Sequence, residues 1–127
     1  MTKLESLLED LEKGISRLEE ITRQEKSMMV RDAAIQRFEF TFELAWKSLK
    51  AYLEEYHNTR GYSPKQCFRE AYNKEILEYD EYWLKIADLR NLIAHSYKEE
   101  AAEEIYEQIP QILKYFQYLL KEMKRTE

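Results

Sequence analysis

Turn-forming and cross-linking residues are scarce in this chain. Among 127 residues there are two glycines (Gly14, Gly61), two prolines (Pro64, Pro110), one cysteine (Cys67) and two histidines (His57, His95). A β-sandwich or barrel needs turn residues roughly every ten positions. So few breakers leave a small number of long helices instead. A single thiol cannot build a disulfide framework, which points to a reduced, cytoplasmic setting. No carboxylate pair or His/Cys cluster has ligand spacing, so neither a metal site nor a cofactor is expected. No window approaches the ~18 consecutive apolar residues of a membrane span. The N-terminal residues lack the apolar centre of a signal peptide. An excess of basic charge is also missing. Against 20 Lys and Arg stand 25 Asp and Glu, a net charge of −5. That speaks against a protein coated in basic residues for general nucleic-acid binding, while leaving room for a small local anion site.

What the chain does have is helical periodicity. It is 44% hydrophobic and 35% charged, and its length suits one domain, residues 1–127, with a core of its own. From residue 2 to about 25, Leu4, Leu7, Leu8, Leu11, Ile15, Leu18 and Ile21 recur at three- and four-residue spacing. Gly14 interrupts that stripe and can permit a close helix approach. Residues 28–57 carry two neighbouring stripes, one through Val30, Ala34, Phe38, Thr41, Ala45, Leu49 and Tyr52, the other through Ile35, Phe42, Trp46 and Leu53. An arc that wide is covered on more than one side. This is read as the central helix and part of an oligomer interface, with Phe38 and Phe42 as core and Trp46 as core or interface. The segment 57–62 is a loop, with His57 expected at the surface. Ser63-Pro64 opens a short helix to about Lys74, Ser as cap and Pro at the first helical position. Asp80 is the next expected cap, followed by a helix burying Tyr82, Ile86, Leu89 and Ile93. The last helix starts near Glu99, buries Ile105, Ile109, Ile112, Phe116, Leu119 and Met123, and should kink or break near residue 109 because of Pro110. The acidic residues Glu99, Glu100, Glu103 and Glu104 suit the positive end of its dipole. The expected fold is all-α, an up-and-down antiparallel bundle of four or five helices.

The densest chemistry lies in Arg90-Asn91-Leu92-Ile93-Ala94-His95-Ser96-Tyr97. Arginine stays protonated, so Arg90 cannot be a base, but it can clamp a phosphate or stabilise charge developing on one. Histidine is the side chain whose ordinary titration falls near neutrality, so His95 is a candidate general acid or base. Asn91 stands four residues before it and can fix its tautomer, and Asp88 could help from further back. These groups suffice for metal-independent RNA cleavage, in which His95 takes the proton of a ribose 2′-hydroxyl or protonates the leaving oxygen while Arg90 holds the charged phosphorane. At 100° per residue, however, Arg90 and His95 lie about 140° apart on an unbroken helix. They can share a pocket only if the helix ends near Ala94 or if two copies face each other. The plain alternative is structural: Arg90 paired with a carboxylate, His95 at a helix C-terminus, where histidine is favoured, and Tyr97 as a packing residue.

Arg90-x4-His95-x-Tyr97, with Asn91 after the arginine, resembles the signature of the HEPN superfamily. Further blocks extend the likeness over nearly the whole chain: residues 38–47 (FEFTFELAWK), Ser63-Pro64, Ala102-Glu103-Glu104-Ile105-Tyr106 and Ile109-Pro110. In that order they resemble the nucleotidyltransferase substrate-binding protein family. The resemblance implies a helical bundle that forms homodimers and binds a minimal nucleotidyltransferase. In the related HepT–MntA toxin–antitoxin pairs the helical member is a ribonuclease whose Arg and His line a cleft at the dimer interface, and the nucleotidyltransferase silences it by adding AMP to the motif tyrosine. Carried over, Arg90 and His95 would be catalytic, Asn91 supporting, and Tyr97 the acceptor. A dimer cleft would also bring the two diverging side chains together. The alternative the family's name suggests is a non-catalytic subunit that binds nucleotide or substrate for the nucleotidyltransferase. Lys98 departs from the acidic residue expected after the motif.

Overall fold

The first three helices begin where a small polar side chain meets an apolar stripe. In the computed structural model, which describes residues 1–95 and 98–125, Thr2 caps helix α1 (Lys3–Thr22) by accepting from the Glu5 amide. Ser27 caps α2 (Met28–His57) through the Val30 amide, and Ser63 caps α3 (Pro64–Asn73) through the Gln66 amide. Such caps are worth about 1 kcal/mol each. The remaining helices are α4 (Tyr82–His95) and α5 (Glu99–Arg125). The chain is therefore an all-α bundle, as its periodicity implies. Helix α1 stops at Thr22, short of residue 25, because the residues after Ile21 are polar and give it nothing more to bury. The Arg23 amide closes that end on the Glu20 and Ile21 carbonyls. At the end of α2, Asn58 takes the left-handed conformation (φ 48°) that small polar residues tolerate. His57, the last residue of that helix, is half-buried against the Tyr52 ring at 5.8 Å, more sheltered than its place beside a loop implies.

Helices α1, α2 and α5 pack on one another, while α3 bridges α2 to α4 and α4 leans back on α5. At Gly14, α1 comes close to α2. Its carbonyl accepts from Thr41 Oγ1 at 3.2 Å, and a methyl group in place of its hydrogen would stand 3.2 Å from that oxygen. The core is a chain of fully buried rings that joins four helices. Phe38 and Phe42 of α2 lead to Phe68 of α3 (6.3 Å from Phe42) and on to Trp83 of α4 (4.8 Å), while Phe116 of α5 stacks on Phe38 at 6.3 Å. Removing any one ring would cost roughly 3–5 kcal/mol.

Two expectations are corrected. Pro110 does not break the last helix: α5 runs unbroken through it. The ring sits on the exposed side of α5, flanked by buried Ile109 and Ile112, so the carbonyl that loses its partner there can turn to water and packing on the opposite face carries the helix across. Asp80 does supply the carboxylate at the start of α4, accepting from the Tyr82 amide at 2.9 Å, but from two residues before the first helical position. It also anchors a tyrosine cluster. Tyr115 donates to its other carboxylate oxygen and Tyr72 to its backbone carbonyl. The hydrogen bond to anionic Asp80 pushes the Tyr115 phenol up to about 12, and burial together with Asp80 pushes Tyr72 to about 12 as well.

Candidate functional site

Residues 90–95 of the motif form the C-terminal part of α4, and that helix is unbroken from Arg90 to His95. The angular argument therefore applies to the folded protomer: Arg90 and His95 leave the helix about 140° apart. Arg90 is the inward member. Its Nη2 donates to Glu43 Oε2 of α2 at 2.9 Å, its guanidinium lies 5.8 Å from the Phe42 ring centre, and its Nη1 reaches Asn91 Oδ1 at 3.5 Å, the outer limit of a hydrogen bond. Glu43 is shared, since Lys47 Nζ stands 3.4 Å from its second oxygen. One turn earlier on α2, burial pushes the Glu39 carboxyl above its ordinary value and the nearby Arg90 cation pulls the other way. The block FEFTFELAWK thus acts as a unit: Phe38 and Phe42 enter the core, while Glu39 and Glu43 present carboxylates to the motif arginine.

His95 closes the helix on the solvent side and is exposed, as are Asn91 and Asp88. Asp88 holds Lys65 of α3 at 2.5 Å. Among the described residues neither Asp88 nor Asn91 hydrogen-bonds the His95 ring, so the tautomer-fixing roles expected for them are not built within one protomer. Tyr97, the expected acceptor, lies outside the described residues. Among those residues, no three His, Cys, Asp or Glu side chains gather in metal-ligating geometry, and no helix is long and apolar enough to cross a membrane.

The other described helices leave part of α2 open, a strip that carries Phe40, 61% exposed, in a groove shared with Gly14 and Arg17 of α1. Half-buried Trp46 lies on the same helix, and its indole N–H finds no hydrogen-bond partner among the described residues. Leu92, 42% exposed, is an apolar side chain of the motif itself on α4.

Over residues 3–125 the sequence matches the family described as nucleotidyltransferase substrate binding protein like. The chain belongs to the nucleotidyltransferase substrate-binding protein family. A Haemophilus influenzae relative named probable ribonuclease HepT is 31% identical over 96 residues, 72% of this chain. The chain spans 66% of that relative's length, just under two thirds. Two solved structures share the family fold. One, from Thermus thermophilus, superposes with a TM-score of 0.83 at 38% identity, covering 89% of this chain and 98% of its own. The other, from Haemophilus influenzae, is described as revealing the fold of a substrate binding domain of a nucleotidyltransferase. It has a TM-score of 0.67 at 26% identity and covers 95% of this chain and 96% of its own.

Sequence reasoning singles out Arg90, Asn91 and His95 but not Glu43, Glu39 or Arg31. Arg31, only 3% exposed, forks onto Glu99 through Nη1 and Nη2 at 2.6 and 3.0 Å and reaches Glu103 at 3.0 Å. A signal for it exists. Arg31 stands one turn before Ala34 and Ile35, at the head of the buried stripe, where a charge needs partners. The acidic first turn of α5 supplies them, in addition to matching its own helix dipole.

Proposed function

We propose that this protein is a metal-independent endoribonuclease of the HEPN type that works as a homodimer and is held in check by a minimal nucleotidyltransferase. The observation that carries the reading is the placement of Arg90 and His95 at one end of an unbroken helix, pointing apart, in a protomer whose α2 leaves a strip with Phe40 exposed. A second copy laid against that strip would set two motifs face to face and supply the covered surface the apolar side chains need. In the cleft between them, one His95 removes the proton of a ribose 2′-hydroxyl. The 2′-oxygen then attacks the adjacent phosphorus to form a 2′,3′-cyclic phosphate, and His95 of the second copy protonates the departing 5′-oxygen. Arg90 holds the charge on the phosphorane. Glu43 and the Phe42 ring keep the guanidinium in place before substrate arrives. The 31% identity to a protein named probable ribonuclease HepT supports the assignment.

Tyr97 is the proposed AMP acceptor. An adduct two residues from His95 would place bulk and negative charge where an RNA phosphate enters. Incubation with the partner nucleotidyltransferase and ATP should then add one AMP per chain, absent in Tyr97→Phe, and cleavage should fall in step with the mass change. Cleavage itself is tested with Arg90→Ala and His95→Ala, each expected to lose about 10²-fold or more while keeping its helical spectrum.

A second reading has its own support. The Arg90–Glu43 ion pair is complete within one protomer, as a purely architectural or ligand-gripping arginine would have it. In that case the protein is a non-catalytic subunit that binds nucleotide or substrate for the nucleotidyltransferase. Arg90→Ala would then weaken ligand binding in a protein that has no cleavage to lose.

A further inference from the structure

Among the described residues the one buried charge lies outside the motif. Arg31 is a guanidinium placed near the start of α2, close to the positive end of that helix's dipole, with 4% of its side chain exposed. Both circumstances disfavour a cation that lacks partners. What Arg31 touches suggests a use. Its fork takes both oxygens of Glu99, the first residue of α5, at 2.6 and 3.0 Å, and it also holds Glu103 one turn on and Asp32 beside it. Lys26 grips Glu103 from the other side at 2.7 Å. Glu99 is the fourth residue after His95, so the two Cα atoms lie within about 14 Å of each other along the chain. The last buried anchor on the α4 side is Ile93, since Ala94 and His95 are exposed. The end of α4 is therefore strung between two attachments to the same helix: Arg90 to Glu43 before it, and Glu99 to Arg31 after it. The two points on α2 are twelve residues apart, about 18 Å.

We propose that Arg31 is a positioning residue that fixes His95 by clamping the first turn of α5 to α2. The functional half of the proposal rests on the HEPN-type reading above; the mechanical half does not. Arg31→Met keeps the volume and removes the charge. Glu99→Gln, at a side chain that is 68% exposed, tests the same clamp where the fold is not at risk. In both, amide exchange over residues 94–102 should rise about tenfold or more while the amides of residues 45–53 keep their protection. In a wild-type protein that cleaves RNA, both variants should lose about tenfold or more in kcat with KM changed less than about twofold. Arg31→Lys, which keeps the charge but loses the fork, should fall between. Unchanged exchange over 94–102 in both variants, or a uniform rise across the molecule, would overturn the clamp. So would local loosening with full turnover. If the wild type cleaves no RNA at all, the ribonuclease reading fails, and the exchange experiment alone decides for or against the clamp.

Discussion

Arg90 and His95 illustrate what a single residue can and cannot tell in advance. Their angular separation follows from helical pitch, and the unbroken α4 agrees with it. The partner of Arg90 does not follow. Glu43 lies 47 positions away and Glu99 lies 68 from Arg31; pairings at that range depend on how helices are laid together, which local patterns do not encode. Small residues carry the same lesson. Gly61 lies in an expected loop, yet it is buried, and a methyl group there would sit 2.3 Å from Cys67 Sγ. Gly61→Ala should therefore destabilise the fold by roughly 1–3 kcal/mol in denaturant unfolding. Adding Cys67→Ala, which clears the obstructing sulfur, should recover part of that loss.

Elements are the most legible level. Apolar spacing places α2 at 28–57, and the structure gives the same bounds. The break expected at Pro110 fails because packing on the buried side outweighs one missing hydrogen bond on the exposed side. Pro110→Ala restores that bond, and should raise the melting temperature by several degrees, corresponding to about 1–3 kcal/mol. The junction of α2 with α5 has a pH signature. Hydrogen bonds from Arg31 hold the Glu99 carboxyl below its ordinary 4.5, and those from Lys26 and then Arg31 do the same for Glu103. A carboxyl with a lowered folded value contributes its stability in full above the ordinary value and loses it as pH falls through the folded one. Melting temperature should thus drop as acidification passes below the ordinary carboxylate range. The drop should be steeper in the wild type than in Arg31→Met, where the cation that lowers both carboxyls is gone.

At the scale of the whole molecule, the chain of core aromatics explains why the motif end of α4 is held firmly enough to present chemistry. Trp83 locks the start of that helix to Phe68 of α3 and Tyr115 of α5, and the Arg90–Glu43 ion pair ties its later turns to α2. The protomer alone leaves His95 and Arg90 facing different ways, and leaves Phe40 in solvent. Wide apolar coverage of α2 was legible from the sequence; which strip stays open was not, because that depends on where the neighbouring helices land on either side. If the open strip seats a second copy, Phe40→Glu should give a folded monomer by sedimentation, with cleavage lost about 10²-fold along with the dimer. The central claim is tested most directly by incubating the purified, unadducted protein with RNA in EDTA beside His95→Ala. The account predicts cleavage to 2′,3′-cyclic phosphate ends by the wild type and none by the variant; an intact dimer free of AMP that leaves RNA uncut, or a variant that cuts equally well, would contradict it.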